Sequence, residues 1–550
     1  MVDFLKTVTG VFRPTGDPDY EGDGDLFSNG EDFDEKAFAD LNPAILQKAG
    51  DVIYNEVLLV TNGGIIDIRE FVVEINIYED MFSPCLHGNV IIRDTQNLIE
   101  KVPLIGDEIL TLDISTPQLA QKPYDPTNKI QKSFAVYAIK NRFLSNEDKE
   151  QLYSLHFISM EGMVDNISYL CQKYEGTTDE IATKVFEDSF KDIPRYLNDK
   201  NTKATAPKSD FTIGDTPHTS KVSFLPPMWT PFQIMGYLSK RALGTNVTDA
   251  PTFLFYETTK GFYMCSISDL IRSQMEVGFI MSKLKYRKKY EDEQLGENAI
   301  RLAYSHVENL EFLSNVDVLK GQDLGHFASS LFTLDVVKKE YVPTAYDHGF
   351  EFQKYPHLGS YKSDLGQVGL VKDDSKKYNS VFPATVIRSS DSKVFIETTH
   401  PGVLDSSDPE LMNLHPEKYV QQRNSLFSDI STMKMKITIP GRTDMEVGTI
   451  VDFDYPSVGS GRNGETDENS VKDQWISGYY MITAIHHQIT KLRHNMICEI
   501  AKDSYLQDLV VEEASPAPAT AAPTTNPPSP AAAPATTPKA TAIPTPAPTS

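Results

Sequence analysis

The chain has 550 residues, 40% of them hydrophobic and 10% aromatic, so it is too apolar to be disordered throughout and is predicted to form three or four globular units. Its 77 acidic and 52 basic residues give a formal net charge of -25, which disfavours a general affinity for nucleic acid or anionic lipid.

The N-terminal part is predicted to hold an acidic arm and then a first strand block. Carboxylates dominate residues 17–40 without an apolar period, so residues 1–52 are expected to be an arm that is solvated or ordered only on a partner. Farther on, REFVVEINIYED and EILTLDIST alternate apolar and polar residues, as half-buried strands do. KSFAVYAIKNRF and QLYSLHFISME flank the polar SNEDKE as a long hairpin. Residues 53–165 are therefore predicted to form a small antiparallel β-barrel.

The next segment, residues 166–250, is predicted to be a helical insertion. Thr177 and Glu180 have the spacing of a capping box, and apolar residues behind them fall on one helical face. The same spacing recurs from Thr230 to Gln233, with proline at the first helical position. Both patterns mark where a helix begins.

Residues 251–375 are predicted to be a mixed α/β segment. FLFYETTKGFYMCS is typical of a hairpin that turns at Lys260 and Gly261. In the following KLKYRKKYEDE, basic residues occupy alternate positions, namely Lys283, Lys285, Arg287 and Lys289. Basic residues interleaved with aromatic ones can track a nucleic-acid backbone. The favoured interpretation is a strand whose outer lysines discourage pairing at a sheet edge.

A second strand block and a tail complete the chain. VFPATVIRS, KVFIETT, KMKITIPG, GTIVDFDYP, GYYMITAIHHQIT and NMICEIAKDSY keep the strand period, and one amphipathic helix lies among them. Residues 376–512 are predicted to form a second barrel, and residues 513–550, rich in Pro, Ala and Thr, a disordered tail. The predicted fold class is α+β, mainly β, with two similar antiparallel β-barrel domains, inserted mixed α/β domains and disordered termini.

Sequence motifs of catalytic and cofactor sites are not found. GxGxxG after a strand, GxxxxGK[ST], HExxH, GxSxG and EF-hand loops are all missing. His486, His487 and His494 come nearest to a metal cluster, but adjacent residues of a strand point to opposite faces. We therefore expect no catalytic, cofactor-binding or metal-binding residue and no enzymatic activity.

Two further sets of reactive side chains are candidates for catalysis. Glu79, Asp80 and Asp94 could form the carboxylate pair of a glycoside hydrolase, but they flank turns, where acidic side chains bind backbone amides. Cys171 and Cys265 have no histidine nearby in sequence to activate them. The alternative function, a tail-associated cell-wall hydrolase, depends on such groups.

The cysteines and the hydropathy indicate where the protein folds. Cys85, Cys171, Cys265 and Cys498 are far apart and form no CxxC pair, so we expect reduced, buried thiols rather than a disulfide scaffold or a zinc site. No apolar run reaches the about 18 residues of a membrane span, and the start has no secretory signal pattern. We expect no membrane insertion and assembly in the cytosol.

Three stretches, in this order, resemble the baseplate hub proteins of contractile-tailed phages of the T-even type, which are related to the hub part of type VI secretion spike proteins. The first is IYEDMFSPCLHGNVIIRDTQNLIEKVPLIGDEILTLDIST. The second is LPPMWTPFQIMGYLSKRAL with TFLFYETTKGFYMCSISDLI. The third is MKITIPGRTDMEVGTIVDFDYP with GYYMITAIHHQIT and CEIAKDSY. The resemblance covers about residues 55–508 and carries over no catalytic residue.

The resemblance implies a homotrimer whose chains each supply two barrels to a pseudo-sixfold ring. Such a ring would adapt a trimeric central spike to the hexameric tail tube or its initiator, contact baseplate wedge proteins, and let DNA pass without specific binding. The implied location is the baseplate of the virion. The polar loop at residues 457–474 is either a docking element or a flexible insertion, and the Pro/Ala/Thr-rich tail departs from the family pattern.

Overall fold

The fold is taken from a computed structural model. It describes residues 12–13, 49–61, 64–102, 104–116, 129–145, 150–191, 193, 210–214, 222–276, 282–286, 303–314, 317–335, 339–361, 393–398, 415–456, 472–473 and 475–506. Most of the predicted acidic arm, most of the loop 457–474 and the tail 513–550 lie outside these residues. Within them, no helix combines the length and the apolar composition that a membrane crossing requires.

The first strand block is antiparallel throughout. Its strands are β1 (Phe12–Arg13), β2 (Ile53–Thr61), β3 (Gly64–Asp67), β4 (Val72–Asp80), β5 (His87–Asp94), β6 (Ile109–Ser115), β7 (Lys129–Ser145) and β8 (Glu150–Ser159), with the short helix α1 (Leu98–Lys101) after β5. Hydrogen-bonded neighbours follow the order β1-β3-β2-β6-β7-β8-β5-β4. The predicted long hairpin is confirmed as β7 and β8. Alternate residues of these strands, such as Ile75, Ile77 and Leu112, are fully buried in one apolar core.

The inserted segment has the predicted helices together with short strands. Its elements are α2 (Met160–Ile167), β9 (Tyr174–Gly176), α3 (Thr178–Phe190), β10 (Phe211–Ile213), β11 (Val222–Phe224), α4 (Pro231–Ser239), β12 (Phe253–Glu257), β13 (Phe262–Ser266) and α5 (Ile267–Glu276). Both predicted capping boxes are present, at Thr177 with Glu180 and at Thr230 with Gln233. The predicted hairpin is the pair β12 and β13. Aromatic side chains form much of this separate core.

Residues 282–430 carry three strands of the large sheet and a small sheet with its helices. The elements are β14 (Ser282–Tyr286), β15 (His306–Val307), β16 (Asn309–Ser314), α6 (Val318–Leu324), β17 (Ala328–Asp335), β18 (Glu340–Asp347), α7 (His348–Glu351), β19 (Val394–Thr398) and α8 (Val420–Ile430). Single 3-10 turns lie at Phe352–Lys354 and Pro416–Lys418. β18, β17 and β19 form a three-stranded sheet in that order.

The second strand block ends with β20 (Met433–Pro440), β21 (Ile450–Asp454), β22 (Gly478–Thr490) and β23 (His494–Lys502). Two paths of paired strands leave β22, namely β22-β21-β14-β15 and β22-β23-β20-β16. β14, β15 and β16 fall in the range predicted as a mixed segment, yet β14 pairs with β21 and β16 pairs with β20 of this block, and β15 pairs with β14. Its core holds fully buried apolar side chains, such as those of Ile437, Ile439 and Ile500.

The interpretation of the basic run as an edge strand is wrong at Lys285, which pairs both with β21 and with β15. Ser282, Lys283 and Leu284 pair with β21 alone among the described strands. Leu284 is fully buried, whereas the side chain of Lys283 is 75% exposed and lies 3.8 Å from Asp452. Arg287 and Lys289 lie outside the described residues. Lys285 therefore lies in an interior stretch of the sheet, whereas Lys283 lies in a stretch that is paired on one side.

The two strand blocks belong to one sheet of fifteen strands. β4 of the first block pairs antiparallel with β22 of the second block, so the sheet continues across both. The α+β, mainly β class is confirmed. The arrangement as two barrels stays a prediction.

Candidate assembly site at the junction of the strand blocks

Seven residue pairs form the junction, from Ala484 opposite Asp80 to Thr490 opposite Glu74. Side chains reinforce the backbone ladder on the accessible face. The ring of His486 stacks on Tyr78 with centroids 4.4 Å apart, and its Nε2 lies 2.7 Å from Asn76 Oδ1. Gln488 Nε2 donates to Glu74 Oε1 at 3.2 Å. The first and second blocks are thus joined by backbone and by side-chain hydrogen bonds.

A buried carboxylate lies behind this ladder. Glu79 is 1% exposed and accepts hydrogen bonds from the amide of Thr259 at 3.1 Å and, more weakly, from the amide of Val447 at 3.4 Å. His487 Nε2 lies 3.4 Å from Glu79 Oε1. Burial raises the pKa of Glu79, but the hydrogen bonds from His487 and Thr259 outweigh it and leave that pKa below its ordinary value. One carboxylate therefore binds groups from the inserted hairpin and from the second block.

The polar chain continues from His487 to His494. His487 Nδ1 lies 3.1 Å from His494 Nε2, and both rings are fully buried. His494 also anchors its own backbone, because its carbonyl accepts from the amide of Gly441 and its amide donates to Gly50. A side chain at Gly441 would place its Cβ 2.0 Å from Cγ of His494, so this position requires glycine. Packing around His494 is thus close on every side.

A second buried carboxylate, Glu257, holds the tip of the β12 and β13 hairpin against the first block. Its Oε1 lies 2.5 Å from Lys132 Nζ, and its Oε2 accepts from the amide of Leu86 at 2.8 Å. Burial, partly offset by Lys132, raises the pKa of Glu257 to about 7. On the other side of the hairpin, Thr258 Oγ1 donates to Glu446 of the second block at 2.8 Å. The hairpin tip therefore bonds to both strand blocks.

The carboxylates considered for hydrolysis serve structural roles. Asp80 accepts from the amide of Phe82, and Asp94 accepts from the amides of Gln96 and Ile99. These bonds agree with the prediction that Asp80 and Asp94 serve turns. The prediction is wrong for Glu79, which lies inside the β4 ladder rather than beside a turn.

The structure also separates the three histidines of the sequence motif. His486 faces Tyr78 and Asn76, whereas His487 points to the buried side, as expected for neighbours on a strand. Another trio has donor atoms within 4.8 Å of one another, namely His326, His348 and Asp429. His326 Nε2 lies 2.7 Å from Asp429 Oδ1, a normal hydrogen-bond length. We interpret this trio as a buried polar contact that connects α8 with the turn before β17 and with α7.

The four cysteines are free thiols. Cys265 and Cys498 are buried, as predicted, and burial raises the pKa of both above the ordinary thiol value. Cys85 is only half-buried and Cys171 is exposed, so the prediction of buried thiols is wrong for Cys171. Burial therefore disfavours the thiolate forms of Cys265 and Cys498, and a cysteine nucleophile acts as the thiolate.

Reasoning from the sequence missed the trio of Glu79, His487 and His494, although a signal was present. Glu79 has the strand phase of Ile75 and Ile77, which are fully buried. A carboxylate in the buried phase of a strand indicates a paired polar group in the core. The partners are 408 residues away in the chain, so the pairing itself required the structure.

Comparison with known proteins gives matches among solved structures alone. No protein-family model and no curated protein matches the chain. It is similar to a tail protein from Neisseria meningitidis MC58, with 9% identity, a TM-score of 0.44, and coverage of 82% of this chain and 96% of that one. For a 43 kDa tail protein of prophage MuSo2 from Shewanella oneidensis, the identity is 8%, the TM-score 0.40 and the coverage 82% and 98%.

A third similar structure is the E. coli c3393 protein, a component of the type VI secretion system that is itself described as similar to T4 bacteriophage tail proteins. It is 9% identical, with a TM-score of 0.35 and coverage of 80% of this chain and 77% of that one. The first two similar structures are described as tail proteins and the third as a type VI secretion component. TM-scores below 0.5 leave the architecture to be argued from the strand pairings of this chain.

Proposed function

We propose that this chain is a structural hub subunit of a contractile phage tail. Three copies form a ring of six barrels that adapts a trimeric central spike to the hexameric tail tube and leaves a channel for DNA. The observation that carries this proposal is that the two strand blocks have the same order of paired strands. The three motif stretches of the sequence support the same role.

Strand pairings in the first block run around a cycle. From β2 the pairs lead to β6, β7, β8, β5 and β4. β4 follows β3 in the chain, and β3 pairs with β2. The link between them stays bonded to both neighbours, because the amide of Ile68 donates to Val57 in β2 and the amide of Arg93 in β5 donates to Phe71. Counting β3 and β4 as one bent strand closes a barrel of six strands.

The second block has a matching cycle. From β14 the pairs lead to β21, β22, β23, β20 and β16. β16 follows β15 after Glu308, and β15 pairs with β14. The amide of Glu308 donates to Thr438 in β20, so this bent strand is also bonded on both sides. It closes a second barrel of six strands.

Numbering the six strands of each cycle in chain order gives the same sequence, 1-2-3-6-5-4, around both barrels. A β-bulge also recurs in strand 5, between Val136 and Ala138 in β7 and between Ile482 and Ala484 in β22. The two cycles differ in strand 1, because β2 is antiparallel to its neighbours whereas β14 is parallel to them. The shared order and bulge support an internal duplication.

Duplication inside the chain explains how three copies meet a sixfold partner. A homotrimer of such chains presents six similar barrels, so threefold symmetry becomes nearly sixfold at the ring. The net charge of -25 makes a negative or neutral channel the expected lining, and such a wall repels DNA phosphates during passage. A strongly basic channel would contradict this part of the proposal.

The proposed partners follow from the same arrangement. The spike meets one face of the ring, the tail tube or its initiator meets the other face, and baseplate wedge proteins contact the inserted domains. The loop at residues 457–474 is a docking element on the second barrel. The protein is assembled in the host cytoplasm and resides in the virion. Asp80 and Asp94, the carboxylates considered for the hydrolase alternative, instead accept hydrogen bonds from turn amides.

The mass of the purified chain in solution, measured by light scattering, tests the trimer directly. We expect three chain masses, with no loss of peptidoglycan in a zymogram of the same sample. A monomer or a dimer at every accessible concentration would contradict the proposal. Clearing of peptidoglycan would instead support the hydrolase alternative.

A further inference from the structure

We infer that neighbouring copies of this chain join through a second antiparallel ladder, between β7 of one copy and β16 of the next. This inference rests on the proposed ring and names its contact surface. Within each chain, strand 2 of the first barrel (β4) pairs with strand 5 of the second barrel (β22). The remaining strand 2 is β16 and the remaining strand 5 is β7. Pairing them between copies repeats one contact around the whole ring.

Both remaining strands have an open edge. Within the described part of the chain, backbone pairing of β7 from Tyr137 onward involves β8 alone, because the pairs with β6 end at Ala135. β16 likewise pairs with β20 alone among the described strands. In the first barrel, the corresponding edge of β4 is covered by β22. An open edge of a β-strand is a template for another strand.

The open edges are apolar to a degree unusual for solvated strands. On β7, Phe143 and Leu144 are 51% and 58% exposed, and on β16, Phe312 and Leu313 are each 46% exposed. Burying such side chains between copies removes apolar surface from water, at about 25 cal/mol per Å². Exposed apolar side chains on both edges indicate interfaces rather than solvated strands.

Internal duplication fixes which residues are equivalent. In the second block, the alanine after the bulge, Ala484, pairs with Glu499, which pairs with Lys436, which pairs with Glu311. In the first block, the alanine after the bulge, Ala138, pairs with His156, which pairs with Asn89, which pairs with Asn76. Glu311 of β16 is therefore equivalent to Asn76 of β4.

The known junction then sets the register of the new one. Asn76 pairs with Gln488, which lies four residues after Ala484. Following the pairs of β7 with β8 past the bulge between Lys140 and Phe143, the residue four rows after Ala138 is Phe143. Phe143 of one copy therefore lies opposite Glu311 of the next, and Arg142 lies beside it in the bulge.

Charge on the two edges is complementary. The open part of β7 carries Lys140 and Arg142 and no acidic residue, whereas β16 carries Glu311 and no lysine or arginine. Among the described residues, Arg142 donates to Gln151 and forms an exposed ion pair with Glu100 at 3.9 Å, and Glu311 forms one with Lys436 at 3.9 Å. Opposite charges across an antiparallel pair favour that register over others.

Charge reversal with rescue tests the ladder. We expect Arg142→Glu and Glu311→Arg each to raise the dissociation constant of the trimer at least about tenfold, because like charges then lie side by side at every junction between copies. The double variant restores opposite charges at each junction, so it should recover most of the affinity. Light scattering over a dilution series measures the change, and circular dichroism confirms that each variant is folded.

A matched control keeps the two proposals distinguishable. Leu225 is 61% exposed just after β11 in the inserted segment, outside both edge strands, so Leu225→Glu should leave the trimer unchanged. A trimeric wild type that is insensitive to both single reversals, or a double variant without rescue, would overturn the ladder but leave the ring standing. A wild type that never trimerises would overturn the ring itself.

Discussion

At the scale of single residues, Glu79 is the most consequential polar group of the junction. Removing one partner of a buried polar pair leaves the other uncompensated, at a cost of about 3–5 kcal/mol. We therefore expect Glu79→Leu to lower the free energy of unfolding by that amount, and Glu79→Gln to cost less because its carbonyl still accepts from the amide of Thr259. Urea denaturation measures both.

An exposed carboxylate provides the control for Glu79. The side chain of Glu311 is 61% exposed, so Glu311→Gln should change the unfolding free energy of the unassembled chain by no more than about 0.5 kcal/mol. Equal losses for Glu79→Leu and Glu311→Gln would show that Glu79 does not hold the junction.

Gly88 is a second residue on which the junction depends. It lies in β5 beside β4, and a Cβ there would come within 2.1 Å of the Asn76 carbonyl and 2.5 Å of the Phe157 ring. Gly88→Ala should lower the free energy of unfolding by about 1–3 kcal/mol, because neither the Asn76 carbonyl nor the Phe157 ring can move freely. Gly236 in α4 has open space around its Cβ position, so Gly236→Ala should be neutral or stabilise by up to about 1 kcal/mol. Thermal unfolding of both variants compares them, and similar effects would contradict this packing.

The pair of His357 and Asp503 makes stability depend on pH. His357 Nδ1 lies 2.9 Å from Asp503 Oδ2 in a buried contact. Burial lowers the pKa of His357, but Asp503 outweighs it, and the net pKa is raised above 6.5. Burial raises the pKa of Asp503, but His357 and nearby donors outweigh it, and the net pKa is lowered below 3.8.

The sign of the pH effect follows from these two shifts. The stability that His357 contributes is fully present below pH 6.5 and is lost as pH rises through its raised pKa. The stability that Asp503 contributes is fully present above pH 3.8 and is lost as pH falls through its lowered pKa. The pair therefore stabilises most between these values. Urea titrations of the wild type and His357→Gln should differ most in that window and converge at alkaline pH. A constant difference would contradict this assignment.

Local sequence signals predicted residues whose partners are near in the chain. Thr230 and Gln233 are three residues apart, and both capping bonds are present. Glu79 and His487 are 408 residues apart, and only the buried phase of Glu79 hinted at a partner. Capping depends on local geometry, whereas a buried polar pair depends on the tertiary fold.

At the scale of elements, the hydrogen exchange of β7 should vary along its length. Residues 129–133 pair with β6 alone, Phe134 and Ala135 pair with both β6 and β8, and the part from Tyr137 onward pairs with β8 alone among the described strands. Backbone amides with one neighbour open more easily, so the part from Tyr137 onward should exchange hydrogen faster than Phe134 and Ala135 in dilute, unassembled protein. Assembly into the ring should protect it. Hydrogen exchange read by mass spectrometry at low and high concentration tests this, and unchanged protection would contradict the ladder.

Strand period predicted most strands but not their neighbours. The alternation in KLKYRKKYEDE correctly indicated β14, yet it was interpreted as an edge because both of its partners are distant, β21 at Ile450–Asp454 and β15 beyond residue 300. Period reports which side chains share a face, and it carries no information on which strand lies alongside. Pairing order therefore came from the structure.

At the scale of the whole molecule, the two strand blocks share one fifteen-stranded sheet through β4 and β22. Sequence reasoning predicted two similar strand blocks from their period alone. It could not predict that a ladder joins them, because β4 and β22 lie about four hundred residues apart. In the proposed ring, that ladder would join the two barrels of each chain into the repeating unit.

A cryo-electron microscopy reconstruction of the purified protein tests this account most directly. We expect a threefold particle with six similar barrels around a central channel, in which the contact of β7 with β16 between chains matches the contact of β4 with β22 within a chain. A particle with a single barrel in each chain, or with two barrels of unlike strand order, would contradict the role as an adaptor between threefold and sixfold symmetry.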